Sequence, residues 1–176
     1  FFVFFINVSI KELPPNGMNE RHGGAILIKK GDADILIDAG PRETSTELVN
    51  FLKQKGVDDI ELFVSTHARH ENYGGIEAVL DNIAVEQFMW NNDTGNDLAY
   101  AAIVEKAGNK SFRTIVATYL LNMTINGIGI QVINPRNATD RFHSLDNDGI
   151  VLKISDRAFC LMTTGDIAYG AQAKIA

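Results

Sequence analysis

The chain has 176 residues, of which 45% are hydrophobic and 22% charged, with a formal net charge of −6 and a pI near 5.1. That is enough sequence for one domain around one core, and the acidic balance disfavours a broad electrostatic grip on nucleic acid, which needs positive charge to displace phosphate counterions. The single cysteine, Cys160, excludes a disulfide within the chain, and no apolar run approaches the roughly 18–20 residues of a membrane-spanning helix.

Residues 1–8, rich in Phe, Val and Ile, predict a buried strand, and residues 25–30 a second. Between them, residues 12–24 are dense in turn formers and read as a long surface loop in which His22 is solvated. Gly31 and Asp32 turn the chain into a third strand over 33–37, ending at Asp38-Ala39-Gly40, so the opening is an antiparallel meander. Residues 44–55 carry Leu48, Phe51 and Leu52 at helical spacing, with Thr44 or Ser45 as a cap and Gly56 as a stop.

The next stretch organises the chain. The apolar run Leu62-Phe63-Val64 reads as a buried strand that delivers Ser65-Thr66-His67-Ala68-Arg69-His70-Glu71-Asn72-Tyr73 into a loop before Gly74 and Gly75. Ionisable groups at the carboxyl end of a strand belong in a ligand crevice. Then come a helix over 75–82, a strand over 84–90 ending at Trp90, a polar loop over 91–96, and a helix over 97–108. Strands are predicted over 113–121 and 127–133, a polar loop over 135–148, and a hairpin of 149–155 with 158–163 around Asp156-Arg157. Cys160 lies in the apolar run 158–162 and reads as a small buried hydrophobe. No repeat, low-complexity tract or linker divides the chain.

The segment 65–75 resembles the signature of the metallo-β-lactamase superfamily, in which a strand ends in Thr-His-x-His-x-Asp-His followed by Gly-Gly, and these side chains hold one or two metal ions. On this sequence the four ligand positions fall on His67, Arg69, Glu71 and Asn72. Ile35-Leu36-Ile37-Asp38-Ala39-Gly40 is similar to the motif whose Asp supports the metal-site loop, and Leu161-Met162-Thr163-Thr164-Gly165-Asp166 to the strand whose Asp bridges two metals. Phe5-Ile6-Asn7-Val8, Gly24-Ala25-Ile26-Leu27-Ile28 and Asn147-Asp148-Gly149-Ile150-Val151-Leu152 resemble the extracytoplasmic domain of the DNA-uptake competence channel protein and its stand-alone relatives. The resemblance implies a mixed α/β fold, an αββα sandwich in a single domain over 1–176. Because a typical member continues past Thr-Gly-Asp to a further metal-binding His, the C-terminal part of the sandwich is expected to be incomplete.

The resemblance also sets up a chemical conflict. A hydrolytic zinc site uses three protein ligands and an activated water. Arg69 stands where an imidazole is expected, and a permanent guanidinium cation cannot coordinate. Glu71 keeps a carboxylate but moves its oxygens by about 1.5 Å. Asn72 offers a neutral carbonyl better suited to hard ions than to zinc. The candidate metal ligands are therefore His67, Glu71, Asn72 and Asp166, with Asp38, Arg69 and His70 as supporting residues and His143 as a further donor. In the alternative arrangement Arg69 replaces the metal charge and pairs with Glu71 or Asp166.

Three functions compete at this stage. One is a hydrolase using zinc or another divalent metal on an ester, a phosphodiester or another small molecule. The second is a protein with a degenerate centre and no cofactor, serving in binding or scaffolding. The third is an incomplete piece whose open sheet edge promotes association into an oligomer. Nucleic acid, disfavoured by net charge, is allowed as a partner by the competence-type resemblance. Asn92-Asp-Thr, Asn109-Lys-Ser, Asn122-Met-Thr and Asn137-Ala-Thr are glycosylation acceptors that favour a secreted or extracytoplasmic context over a cytoplasmic one, and Asn7-Val-Ser adds one in a strand.

Overall fold

A computed structural model describes residues 4–11, 22–135, 148–157 and 159–165. The opening meander forms as the sequence predicts. Strand β1 (Phe4–Lys11) pairs antiparallel with β2 (His22–Lys30), and β2 with β3 (Ala33–Ile37). His22 opens β2 rather than sitting in the preceding loop, because the ladder with β1 continues as far as Lys11 opposite His22.

From β3 to β8 the strand pairings are parallel. Helix α1 (Ser45–Gln54) leads through the short β4 (Asp59–Ile60) to β5 (Leu62–Val64). Neither Thr44 nor Ser45 caps α1 through its side chain: a short 3-10 turn over Arg42–Thr44 precedes the helix, and the Thr44 hydroxyl donates to the Pro41 carbonyl instead. The helix predicted over 75–82 forms as α3 (Ile76–Asn82), and the loop predicted ahead of it holds a further short helix, α2 (His70–Tyr73). The strand expected over 84–90 is split. β6 (Ala84–Val85) pairs with β4, whereas β7 (Gln87–Trp90) pairs with β5.

Helix α4 (Leu98–Gly108) begins on Asp97, whose carboxylate accepts from the Ala99 and Tyr100 amides. The strand predicted over 113–121 stops short at 116, as β8 (Arg113–Val116); the chain then turns, with Leu120 at a left-handed φ of 61°, and β9 (Asn122–Ile125), in the other sheet, begins just past the predicted range. The last described elements are β10 (Ile128–Asn134), β11 (Val151–Asp156) and β12 (Phe159–Thr163).

These elements build a six-stranded sheet in the order β1-β2-β3-β5-β7-β8 and a four-stranded sheet in the order β12-β11-β10-β9. Alternation along β5 explains the stacking. Phe63 faces α1, α3 and α4 in one apolar cluster, whereas Leu62 and Val64 face Ile130, Val132, Leu152 and Ile154 of the second sheet in another. All three β5 side chains are fully buried, and each contributes about 1.5–3 kcal/mol by leaving water. The described residues thus supply three layers, helix on sheet on sheet.

Cys160 is exposed, contrary to its apolar setting. It lies on β12, where burial alternates, and its side chain points to the face opposite Leu161, which packs against the inter-sheet core.

Candidate active site

The parallel strands β3, β5 and β7 end side by side, and the next residue of each is polar and buried: Asp38, Ser65 and Asn91. The ladder runs on past the strand ends, with Asp38 N–H donating to the Val64 carbonyl at 2.8 Å and Ser65 N–H to the Met89 carbonyl at 2.9 Å. The chain then turns, and chemistry-bearing side chains gather at this carboxyl edge.

Asp38 is the hub. It takes a left-handed φ of 58°, a conformation that Asp tolerates better than most residues. Its carboxylate accepts from Thr66 N–H at 2.8 Å, Thr66 Oγ1 at 2.6 Å and Asn72 Nδ2 at 3.0 Å. One buried anion therefore fixes both the start and the end of the segment that follows β5. The Asn72 carbonyl closes the same loop by accepting from Ala39 N–H at 2.8 Å.

His67 is fully buried, with its Nδ1 2.8 Å from Thr66 Oγ1. Two glycines pack against the imidazole. A Cβ at Gly149 would overlap Nε2 and Cε1, and one at Gly165 would stand 2.8 Å from Cε1. The segment carrying Gly149 is tied down from both sheets. Asn91 Nδ2 donates to the Asp148 carbonyl at 2.9 Å, Asn134 Nδ2 to the Gly149 carbonyl at 2.8 Å, and Ile150 N–H to the Thr66 carbonyl at 3.0 Å. Asn134 turns inward because a register shift between Val132 and Asn134 interrupts the β10–β11 ladder.

Arg69 and Glu71 pair at 3.4 Å, each side chain 35% exposed. Asn72 is buried, and its Oδ1 has no hydrogen-bond partner among the described residues while its Nδ2 is held by Asp38. His70 packs edge-on to the Tyr73 ring at 6.0 Å. Asp166 and His143 lie outside the described residues. Among the described residues no three His, Cys, Asp or Glu side chains converge as metal donors.

That donor set fits a zinc ion poorly on its own. His67 supplies one imidazole. Asn72 Oδ1 is a neutral oxygen, and the Glu71 carboxylate is already neutralised by a guanidinium.

Beside this edge lies a network that the sequence reading does not single out. Ser65 Oγ and Tyr100 OH are 2.8 Å apart, Tyr73 OH donates to Asp97 Oδ2 at 2.6 Å, and Tyr100 contacts both Tyr73 and Trp90. Burial pushes both tyrosine hydroxyls well above their ordinary range, and for Tyr73 the Asp97 carboxylate adds to the effect. Asp97 is held below the usual carboxylate range: burial works against this, and hydrogen bonds from Tyr73, Tyr100 N–H and Ala99 N–H outweigh it. Asp97 thus serves both as helix cap and as acceptor for Tyr73. Its place just ahead of the helical run at 98–108 was the one legible signal for that role.

Two stacked sheets with helices on one face, and a polar centre at the carboxyl ends of parallel strands, define the class. The fold is that of the metallo-β-lactamases. The chain is similar to a metallo-β-lactamase from Cronobacter sakazakii described by the motif HARLDQ, with 16% identity and a TM-score of 0.58, over 81% of this chain and 53% of that one. It is similar to a metallo-β-lactamase from Hirschia baltica, with 20% identity and a TM-score of 0.53, over 85% and 65%. A subclass B3 metallo-β-lactamase from a soil metagenome matches with 15% identity and a TM-score of 0.56, over 86% and 66%. The chain thus spans between about half and two thirds of the length of these proteins. No protein-family model and no curated protein matches the sequence.

Proposed function

We propose that this chain is a hydrolase-like protein of the metallo-β-lactamase fold whose centre is degenerate and does not hold a transition metal tightly. The observation that carries this reading is the Arg69–Glu71 pair. It puts a permanent cation against the one described carboxylate that the motif offers, so a divalent ion would have to displace a guanidinium and then sit beside it. Exposure of both side chains screens the pair, and the argument therefore rests on its sign and placement rather than on its strength. The test restores the ligands. An Arg69→His, Glu71→Asp, Asn72→His variant is expected to gain stoichiometric zinc in a calorimetric titration, while the unaltered chain shows none under the same conditions. Equal zinc binding by both contradicts the proposal.

A second reading, a hydrolase with a single-metal site, is supported by two observations. The segment His67-Ala68-Arg69-His70-Glu71-Asn72 parallels the HARLDQ motif by which the Cronobacter protein is described, with His, Ala and Arg identical, an acid in fifth place and an amide in sixth. The buried Asn72 Oδ1 is also an unused acceptor of the kind a cation takes. On this reading His67 and Asn72 hold the ion with Asp166, and the ion activates water. The competence-type resemblance points to phosphodiesters, and the exposed acceptors Asn92, Asn109 and Asn122 to an extracytoplasmic setting. Hydrolysis of a generic phosphodiester or ester with added zinc, manganese or calcium, abolished by His67→Ala, supports this reading; no turnover with any of the three contradicts it.

A further inference from the structure

One flank of the sandwich is open. β8 ends the six-stranded sheet, β9 ends the four-stranded sheet, and residues 117–121 join the two. Among the described residues β8 pairs with β7 alone. Arg113 N–H and Ala117 N–H donate across that ladder to the Glu86 and Trp90 carbonyls. By the alternation of a strand Ile115 also turns its backbone groups to β7, so those of Thr114 and Val116 point away from the sheet. Natural edges are blunted by lysine, proline or a bulge. β8 has none of these: its register with β7 is unbroken, and its one charge, Arg113, stands at its first residue. The surroundings are apolar as well. Val116 is 44% exposed and Leu120 51%. Lys106 ties one flank of α4 to Glu77 and Asp81 of α3. The opposite flank, which overlooks β8 in the sheet order β5-β7-β8, carries the half-buried Ala101 and Val104.

We infer that β8 is the interface of a two-fold dimer, in which β8 of a second copy pairs antiparallel with it and joins the two six-stranded sheets. The strand is complementary to itself, which is what a two-fold axis requires. With the axis at Ile115, Thr114 of each copy stands opposite Val116 of the other, and each such pair exchanges two N–H···O bonds, using the outward groups of both residues. The side chains that meet there are β-branched, a favourable cross-strand pairing. Ile115 meets its own copy at the axis, with Cα atoms about 4.5 Å apart. Charge is compatible with this register. Arg113 lies opposite Ala117 of the other copy, and the two Arg113 residues are about 13 Å apart along the strands at about 3.3 Å per residue, beyond the screening length of about 8–10 Å. Residues 109–122 hold no Asp or Glu, so the acidic excess of the chain is carried away from this flank.

Sedimentation equilibrium of the full chain from about 1 to 100 μM, a range that spans micromolar dissociation constants, is expected to reach a mass of twice 19.3 kDa. Val116→Pro deletes the outward N–H and spares the ladder with β7, since proline is tolerated on the free side of an edge strand. Val116→Lys keeps that N–H and adds a charge to the edge. Both are expected to weaken the dimer by at least about tenfold. Ile115→Cys in a Cys160→Ser background is expected to oxidise to a covalent dimer, because its Cα spacing across the axis lies in the disulfide range; Glu105→Cys in the same background, exposed on the outer face of α4, is expected to stay monomeric on a denaturing gel. A chain that remains monomeric at the highest concentration overturns the inference. So does a dimer that persists in Val116→Lys, or an Ile115→Cys protein that cross-links no more than the Glu105→Cys control. The lysine and cysteine variants decide should the proline variant not fold.

Discussion

Replacing Gly149 with Ala tests whether His67 is a packed structural element of the site rather than a loosely placed side chain. Gly149 does not occupy the left-handed region, so backbone conformation gives alanine no reason to fail there. The reason is steric: the new Cβ would overlap Nε2 and Cε1 of a ring that is 0% exposed. Relief has two routes. The ring can move, which strains the 2.8 Å contact with Thr66, or the 148–150 segment can retreat. Retreat breaks some of its three anchoring bonds, those to the Asp148 and Gly149 carbonyls and from Ile150 N–H. Each such bond is worth about 0.5–1.5 kcal/mol net, and overpacking a tight core costs about 1–3 kcal/mol. The two routes give a similar loss of about 1–3 kcal/mol. For a chain of this size that is a fall in Tm of about 2–12 °C.

Urea and thermal unfolding measure the loss directly. Gly108→Ala is the control, since nothing lies within 4 Å of a Cβ there; it is expected to be neutral or stabilising by up to about 1 kcal/mol. His67→Ala in the Gly149→Ala background should recover part of the loss, with a coupling of about 0.5–3 kcal/mol between contacting sites. A Gly149→Ala protein as stable as the parent, or a pair of substitutions whose effects simply add, would refute the packing argument.

Asp38→Asn is expected to cost about 2–4 kcal/mol, because an amide turns one acceptor into a donor facing Thr66 and Asn72; denaturant unfolding checks this, and a change below about 0.5 kcal/mol contradicts it. Tyr100→Phe strands the buried Ser65 hydroxyl at a cost of about 1–2 kcal/mol while the ring contacts to Tyr73 and Trp90 survive; the same assay reads it. Asp34 gives a pH dependence: burial, only partly offset by its ion pair with Lys29, raises its carboxyl above the ordinary value of 3.8. A raised carboxylic acid binds its proton more tightly in the folded state, so its contribution to stability declines as pH rises above about 4. The stability of the parent relative to Asp34→Asn should therefore fall as the pH is raised above about 4, and a difference that grows instead contradicts the assignment.

Much of the frame was legible because it is local. The run Leu62-Phe63-Val64 is apolar on both faces, which suits a central parallel strand covered by helices on one side and a sheet on the other. The meander of β1 to β3 followed from short apolar runs around a Gly-Asp turn. The early end of β8 was hidden, since residues 113–121 read as a continuous strand, whereas the extended run stops at Val116, turns through the left-handed Leu120 and resumes as β9 at Asn122. Cys160 was misplaced because an apolar run says nothing about which face a strand buries.

The site divides in the same way. Asp38, His67, Glu71 and Asn72 stand out as residue types in motifs. What the sequence does not reveal is how they are joined: Thr66 bonds Asp38 across 28 positions, and Gly149 packs on His67 across a far longer stretch of chain. Asn91 and Asn134, the two buried amides that hold the segment over His67, look like ordinary turn residues in the sequence.

Metal content decides the central claim most directly. The purified chain and His67→Ala are incubated with zinc, dialysed, and measured by elemental analysis. A degenerate centre predicts substoichiometric zinc in the unaltered chain, with no significant drop in His67→Ala. One zinc per chain, lost on His67→Ala, contradicts it and establishes His67 as a ligand.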